Sequence, residues 1–371
     1  MRYYIIAGEA SGDLHGSNLI HEIKKLDAQA NIRCWGGDLM QEAGATLVKH
    51  YRELAFMGFL EVIKNLPAIL RNIKFCKTDI LSFKPDVLVL IDYPGFNLRI
   101  AEWARPLGLK IVYYISPQVW AWKENRVKKI KRSVDLMLVI LPFEKNFYKK
   151  WNYTAEYVGH PLVEVIEKEK AQLPATALSA KPIIALLPGS RQQEILKKLP
   201  IMLQVAAFFP DYQFIVAKAP GQENVFYESL LQPYKNVSAV SGKTYALLLQ
   251  SKAALVTSGT ATLETALLGI PEVVCYKSSN ISYQIGKRLI KVKYISLVNL
   301  IMDKPVVKEL IQDDLTPENL KKELADLLFN PARIAQLQED YAELRKKLSE
   351  GGHASANAAK SIVAFTAANG A

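Results

Sequence analysis

Ala253-Ala-Leu-Val-Thr-Ser-Gly-Thr-Ala-Thr-Leu-Glu-Thr-Ala-Leu-Leu-Gly-Ile-Pro-Glu-Val-Val-Cys-Tyr276 is the stretch whose reading decides the fold. Ala253–Thr257 is a short apolar run ending in a hydroxyl, the pattern of a buried parallel strand. Ser258-Gly259-Thr260 follows at once, and Ala261–Leu268 has the composition of a helix. A strand, a turn of small residues and a helix start present free backbone N–H groups, at the positive end of the helix dipole, to whatever lies above the sheet. The neighbouring Ser and Thr hydroxyls suit phosphate oxygens. Glu264 stands one turn further on, where a carboxylate can accept hydrogen bonds from two adjacent sugar hydroxyls. A phosphate cradle with a carboxylate one turn away describes a nucleotide-sugar site. An ordinary N-capped helix of an α/β domain has the same residues, and this stretch alone does not separate the two.

The 371-residue chain is long enough for two domains, each with its own core. Half of it is hydrophobic, and strands alternate with helices throughout, which excludes disorder. Cys34, Cys76 and Cys275 are odd in number and unpaired in spacing, as expected in a reducing cytosol, and argue against disulfides and a metal cluster. No apolar run approaches the roughly 20 residues of a membrane span, and a chain starting straight into a strand is expected to lack a signal peptide. The net charge of +11, from 47 basic and 36 acidic residues, must face something anionic. Nucleic acid, anionic lipid and phosphorylated substrates all qualify.

In the first half Tyr3–Ala7 reads as a strand, Gly8–Gly16 as the turn after it, and Ser17–Leu26 as a helix. The glycines of Gly8-Glu-Ala-Ser-Gly-Asp-Leu-His-Gly16 recur every four residues, so this is not the dinucleotide fingerprint. Glu9 and Asp13 would repel a pyrophosphate and suit hydroxyls or an amine; for His15 capping, solvent exposure and catalysis stay open. Residues 52–83 carry more apolar side chains than one core stripe needs, among them Phe56, Met57, Phe59, Leu60, Val62 and Ile63, with Lys64, Arg71, Lys74 and Lys77 interspersed. That combination fits a membrane interface or lipid-chain pocket, or else a core helix with one solvated face. Asp86–Ile91 is a strong strand that delivers Asp92-Tyr-Pro-Gly-Phe-Asn97 to its carboxyl end. Ligands of open parallel sheets lie there, so Asp92 is a candidate general base, with helix capping as the alternative. After the strand Lys110–Ile115 come Trp120 and Trp122 and the basic helix Lys123–Arg132, then a strand at Leu136–Ile140, a helix at Pro142–Lys150 and a strand at Glu156–Val158. Tryptophans beside cations serve membrane anchoring, base stacking or plain packing.

Residues 162–181 read as a solvated connector, which divides the chain into 1–162 and 163–351. Beyond it, strands at Pro182–Leu187, Gln213–Ala217, Asn236–Val240, Ala253–Thr257 and Glu272–Tyr276 alternate with helices. The fold expected is α/β, two doubly wound Rossmann-like domains facing across a cleft. Pro188-Gly-Ser-Arg191 again brings small residues and a cation to a strand end, where Arg191 can grip phosphate with two parallel bonds. Asn299 follows a basic helix holding Lys287, Arg288, Lys291 and Lys293, and is read as pointing into the cleft. The tail, about 352–371, contains a small-residue helix that needs another surface to lie on.

Several stretches, in order and over most of the chain, closely resemble the lipid-A-disaccharide synthase family. They are Gly8–Asp13, Met57-Gly58 with Glu61-Val62, Ile91–Asn97, Tyr114–Trp122, Leu141–Glu144, Gly159-His160, Leu187–Arg191, Ser258–Glu264 and Ser296–Leu300. Tyr93 and Gly95 vary one of these loops, and His15 is not something the family requires. The resemblance implies a GT-B glycosyltransferase that joins UDP-2,3-diacylglucosamine to 2,3-diacylglucosamine 1-phosphate, without metal or cofactor, to give a β-1,6 disaccharide and UDP. It implies that the last helix returns to the N-terminal domain, or to that of a partner in a homodimer. It also implies work in the cytoplasm, at the inner face of the inner membrane of a Gram-negative bacterium.

Inversion at the donor's anomeric carbon asks one carboxylate to take the acceptor's proton: Asp92 first, Glu9 second. The nucleotide is expected at Gly189, Ser190, Arg191, Ser258, Gly259, Thr260, Glu264, Tyr276 and Asn299. The acceptor and its lipid are expected at Ser11, Asp13, Phe56, Met57, Phe59 and Trp120. Two other functions compete. A UDP-N-acetylglucosamine epimerase would use the same architecture without an acyl-binding surface. A nucleic-acid-binding protein would use 123–132 and the two tryptophans, but gives Arg191, Glu264 and Asp92 nothing to do; no nucleic-acid partner is expected.

Overall fold

The computed structural model describes residues 1–54, 66–171, 176–219, 222–279, 283–284 and 292–368. The chain forms two compact units, Met1–Pro161 with Leu348–Ala371, and Leu162–Lys347.

The first unit is built on β1 (Arg2–Ala7), β2 (Asn31–Gly36), β3 (Thr46–His50), β4 (Val87–Ile91), β5 (Lys110–Tyr114), β6 (Leu136–Val139) and β7 (Glu156–Tyr157). They pair in parallel in the order β3-β2-β1-β4-β5-β6-β7. Val-Leu-Val-Leu-Ile of β4 is buried at every position, as a strand covered on both faces must be. Tyr4, Ile6, Leu88 and Leu90 enter one core, and Tyr3, Ile5, Val87 and Val89 the other. Each such aliphatic burial stabilises by about 1.5–3 kcal/mol, which fixes β1 and β4 as the centre of the sheet.

The stretch Gly8–Gly16 is not the expected turn. The helix starts at Ala10 and runs to Leu26, with Gly12 and Gly16 inside it. Four-residue spacing puts both on one helix face. A β-carbon at Gly12 would lie 3.1 Å from the Ala7 β-carbon, and one at Gly16 2.6 Å from Met40 Sδ. The glycines therefore serve close packing of the helix, not chain reversal. The expected connector also differs: Pro161–Ala171 is a helix that buries Leu162, Val163 and Ile166. The basic segment after Trp122 is a 3₁₀ turn, Glu124–Arg126, followed by the helix Val127–Ser133.

The small-residue helix Ala354–Ala368 lies on the first sheet of its own chain, with Ala358, Ala359 and Ile362 in the core that holds Tyr3 and Ile5. Lys110 Nζ donates to Thr366 O at 2.6 Å, and Asn357 Nδ2 to Val158 O at 3.1 Å.

The second unit holds β8 (Ile183–Leu187), β9 (Gln213–Lys218), β10 (Val237–Ser241), β11 (Ser251–Thr257), β12 (Glu272–Tyr276) and β13 (Lys308–Ile311). Their order is β10-β9-β8-β11-β12-β13, all parallel. Both units are thus doubly wound α/β sheets. Among the described residues no helix is long and apolar enough to cross a membrane. Phe56, Met57, Phe59, Leu60, Val62, Ile63 and Lys64, and Lys287, Arg288 and Lys291, lie outside the described residues.

Candidate active site

Strand order reverses between β1 and β4 in the first sheet and between β8 and β11 in the second. Ligands of open parallel sheets bind beyond the carboxyl ends at such a point. In the first unit the register Ala7↔Ile91 sets Gly8-Glu9 beside Asp92.

Asp92 and Tyr93 both take left-handed backbone conformations, with φ of 42° and 48°. Such conformations cost non-glycine residues about 1–3 kcal/mol and persist only where their surroundings enforce them. Here Asn97, fully buried, donates through Nδ2 to Ile91 O at 3.1 Å and to Asp92 O at 2.8 Å, and the Tyr113 hydroxyl donates to the same Asp92 carbonyl. The Tyr93 ring packs so closely over Gly8 that a β-carbon there would fall 2.3 Å from it. Burial, and then the Glu9 carboxylate, push the Asp92 carboxyl up to about 6, against the Tyr93 backbone N–H that lowers it. A carboxylate tuned there is ionised at neutral pH, yet basic enough to take a proton from a hydroxyl under attack.

The other first-unit candidates separate. Glu9 and Ser11 are exposed at the start of the helix Ala10–Leu26. Asp13 is buried, and its carboxylate accepts from the backbone N–H groups of Gly37 at 2.7 Å, Leu39 at 3.2 Å and Met40 at 3.1 Å. It caps the helix Asp38–Glu42, and these three bonds hold its oxygens to the fold. Trp120 is also buried, Nε1 donating to Glu144 Oε1 at 3.1 Å and the ring meeting Phe143 edge-on. Its surroundings are those of a packed side chain. Burial raises the Glu144 carboxyl to about 8. Among the described residues the buried His15 Nδ1 has no hydrogen-bond partner, and burial lowers the ring's pKa to about 4, so the imidazole is neutral at pH 7.

In the second unit Gly189, Ser190, Arg191, Ser258, Gly259, Thr260 and Glu264 line one cavity of about 420 Å³. Gly259, at φ 141°, caps the helix Thr260–Leu268, a conformation that favours glycine. The Ser258 hydroxyl donates to Ile295 O at 3.1 Å. Arg191 precedes the helix Gln192–Gln204 with its side chain 65% exposed, 3.8 Å from Glu194. Burial raises the Glu264 carboxyl, while the Tyr245 hydroxyl, donating at 3.0 Å, opposes the rise. Tyr276 lines an adjoining cavity of about 160 Å³ together with Thr257, Ser258 and Lys198.

Asn299 is not brought to this cavity. It is buried, its Nδ2 donating to Val307 O and Glu309 Oε1 and its Oδ1 accepting from Val307 N, each at 2.9 Å. Its amide braces the turn into β13. Among the described residues no group of three or more His, Cys, Asp or Glu side chains is arranged to hold a metal ion.

Sequence reasoning gave no role to Asn97, Tyr245 or Lys198. Only Lys198 left a signal: it falls on the same helical stripe as the apolar Ile195, Leu199 and Met202.

By fold the chain is similar to the UDP-GlcNAc 2-epimerase of Neisseria meningitidis bound to UDP-GlcNAc, with a TM-score of 0.69, 14% identity and all of both chains covered. It is also similar to the calicheamicin glycosyltransferase CalG4, with a TM-score of 0.63, 15% identity, and 100% of this chain and 99% of that one covered. At those identities the likeness is one of fold, the GT-B class shared by such glycosyltransferases and epimerases. By sequence it is 39% identical to the lipid-A-disaccharide synthase of Geobacter sulfurreducens over 360 residues, 95% of this chain and 94% of the relative. The lipid-A-disaccharide synthetase family model matches residues 3–364. A match of that length and identity distinguishes among enzymes of one fold, and the chain belongs to the lipid-A-disaccharide synthase family.

Proposed function

We propose that the chain transfers 2,3-diacylglucosamine from UDP to the 6-hydroxyl of 2,3-diacylglucosamine 1-phosphate, giving the β-1,6 disaccharide 1-phosphate and UDP. The observation that carries this is the Asp92 carboxyl, held at the β1/β4 switch point and raised to about 6 by burial and Glu9. In the reaction the acceptor hydroxyl gives its proton to Asp92 as its oxygen attacks the donor's anomeric carbon. The bond from that carbon to UDP breaks on the opposite face, so the α-linked donor gives a β product. Gly189, Ser190 and Arg191, with the helix start at Ser258–Thr260, hold the diphosphate and stabilise its growing charge. Glu264 accepts from the ribose hydroxyls, and Tyr276 lies beside them. Glu9 and Ser11, exposed beside Asp92, meet the acceptor sugar. UDP release from the acylated donor, dependent on the acylated acceptor, tests this. Epimerisation of UDP-N-acetylglucosamine without UDP release would sink it in favour of the other activity found on this fold.

The enzyme works in the cytoplasm at the inner face of a Gram-negative inner membrane, held by anionic lipid. The net charge of +11 and the apolar side chains Phe56, Met57 and Phe59 support this. It is peripheral, and a homodimer would exchange the helix Ala354–Ala368 between chains. Phe56→Ser with Phe59→Ser should release the protein from anionic vesicles at an unchanged melting temperature, because each buried aromatic is worth about 1.5–3 kcal/mol. A lowered melting temperature with vesicle binding intact would assign these side chains to the core.

A further inference from the structure

We propose that Lys198 is a phosphate-binding residue of the second unit, its ammonium donating to the diphosphate as it departs from the sugar. This rests on the proposed transfer from a UDP-sugar and adds a cation to that site. Lys198 lies within the helix Gln192–Gln204 and is 3% exposed, among Ile195, Leu199 and Met202, which are also buried. An ammonium carries three N–H donors. Among the described residues the single hydrogen-bond acceptor of this one is the Thr257 hydroxyl, at the carboxyl end of β11. One neutral hydroxyl does not offset the hydration a buried ammonium gives up. The remaining donors call for an anion.

The position of the amine says which anion. Gly189 has φ of 117°, and a β-carbon built on it would stand 3.5 Å from Lys198 Nζ, so the amine sits against the Pro188–Arg191 loop. With Thr257, Ser258 and Tyr276 it lines the cavity of about 160 Å³, which shares Glu194, Thr257 and Ser258 with the larger cavity. Thus Lys198 backs the wall common to both. Of the cations that line the two cavities, Arg191, Lys197, Lys198, Lys218 and Lys277, Lys198 is the buried one, at 3% exposure; Arg191 is exposed and the other three are half-buried. Charge–charge attraction is weakened by water around Arg191 and much less around Lys198. Charge developing on the leaving diphosphate is therefore answered most strongly by the buried amine, which is already in place. Glu194 partners both cations before nucleotide arrives: it lies 3.8 Å from Arg191, and its field favours the charged form of Lys198 that burial disfavours.

Lys198→Met and Lys198→Arg are compared with wild type by calorimetry with UDP and with UMP, by UDP-release kinetics and by thermal melting. In Lys198→Met, UDP affinity and kcat should each fall about tenfold or more, the scale of a hydrogen bond to a charged group. UMP affinity should change by less than about threefold, and Lys198→Arg should recover UDP affinity to within about threefold of wild type. The melting temperature of Lys198→Met should hold or rise, because a buried charge is replaced by an apolar side chain of similar length. Unchanged UDP affinity and kcat would overturn the role, as would equal losses for UDP and UMP accompanied by a lowered melting temperature. Wild type that fails to bind UDP would instead sink the nucleotide-sugar function on which the role rests.

Discussion

The two switch points occupy the same place in two similar sheets and carry opposite chemistry. Beyond β1 and β4 stand two carboxylates, Glu9 and Asp92, one raising the other's pKa. Beyond β8 and β11 stand a helix start, hydroxyls and cations that include Arg191 and the buried Lys198 and outnumber the carboxylates Glu194 and Glu264. The topology supplies a crevice in each unit, and the residues delivered to it decide what it can hold. Excess negative charge makes the first crevice a poor cradle for a diphosphate and fit to accept a proton. Donors and cations make the second fit for an anion.

The sharpest way to break this contrast is Asp92→Asn. Turnover should fall by two or more orders of magnitude, the reach of a general base, with UDP affinity unchanged in the other unit. Stability should move the other way. The folded-state pKa of Asp92, about 6, lies above its ordinary 3.8. Folding therefore favours the protonated acid, and that contribution is complete below about 3.8 and lost as pH rises through about 6. At pH 7.5 the ionised carboxylate is a burden that Asn lacks, so the variant should be more stable by about 2–3 kcal/mol. A thermal melt and a UDP-release assay on one preparation check both. Near-wild-type turnover would pass the base to Glu9.

Next in size, Glu264→Ala should weaken UDP binding by about 1.5–3 kcal/mol, the worth of hydrogen bonds to a charged acceptor. Tyr245 donates to the same carboxylate at 3.0 Å, so Tyr245→Phe should weaken UDP binding by no more than about 1 kcal/mol, through orientation alone. Unchanged UDP affinity in Glu264→Ala, measured by calorimetry, would reduce the anion site to its N–H donors and cations.

What the sequence discloses about these crevices follows physical lines. Buried parallel strands such as β4 and β11 are continuous apolar runs, and the residues just after them are by position the mouth of the sheet. β3 and β13 are edge strands with partly exposed residues, Thr46–His50 and Lys308–Ile311, and show no such run. The glycines at 12 and 16 resemble turn residues, because a sequence does not say whether a missing β-carbon serves a bend or a close approach. Asp13 and Asn299 have the polarity of site residues, but Asp13 is met by backbone groups of Gly37 and Met40, distant in the chain, and Asn299 by the Val307 backbone and the Glu309 carboxylate. Which way a polar side chain turns is settled by tertiary packing, and that is why the bracing bonds of Asn97 and Tyr245 are not legible in pattern or composition.

The smallest expected effect addresses how the first crevice is tuned. Burial is the largest cause of the raised Asp92 pKa, and the Glu9 carboxylate is the second. Glu9→Gln removes the like charge and leaves the burial in place, so the acid should titrate lower but still above its ordinary 3.8. Because the base must be ionised to accept a proton, kcat/KM in wild type should rise with pH through about 6 and level above it. In Glu9→Gln the inflection should shift downward, with the plateau rate reduced much less than by Asp92→Asn. An inflection falling to the ordinary carboxylate range would mean that charge, not burial, sets the pKa of Asp92. An unmoved inflection would mean that Glu9 in solution does not sense Asp92. Loss of the plateau itself would exchange the roles of the two carboxylates, leaving the base on the exposed side chain.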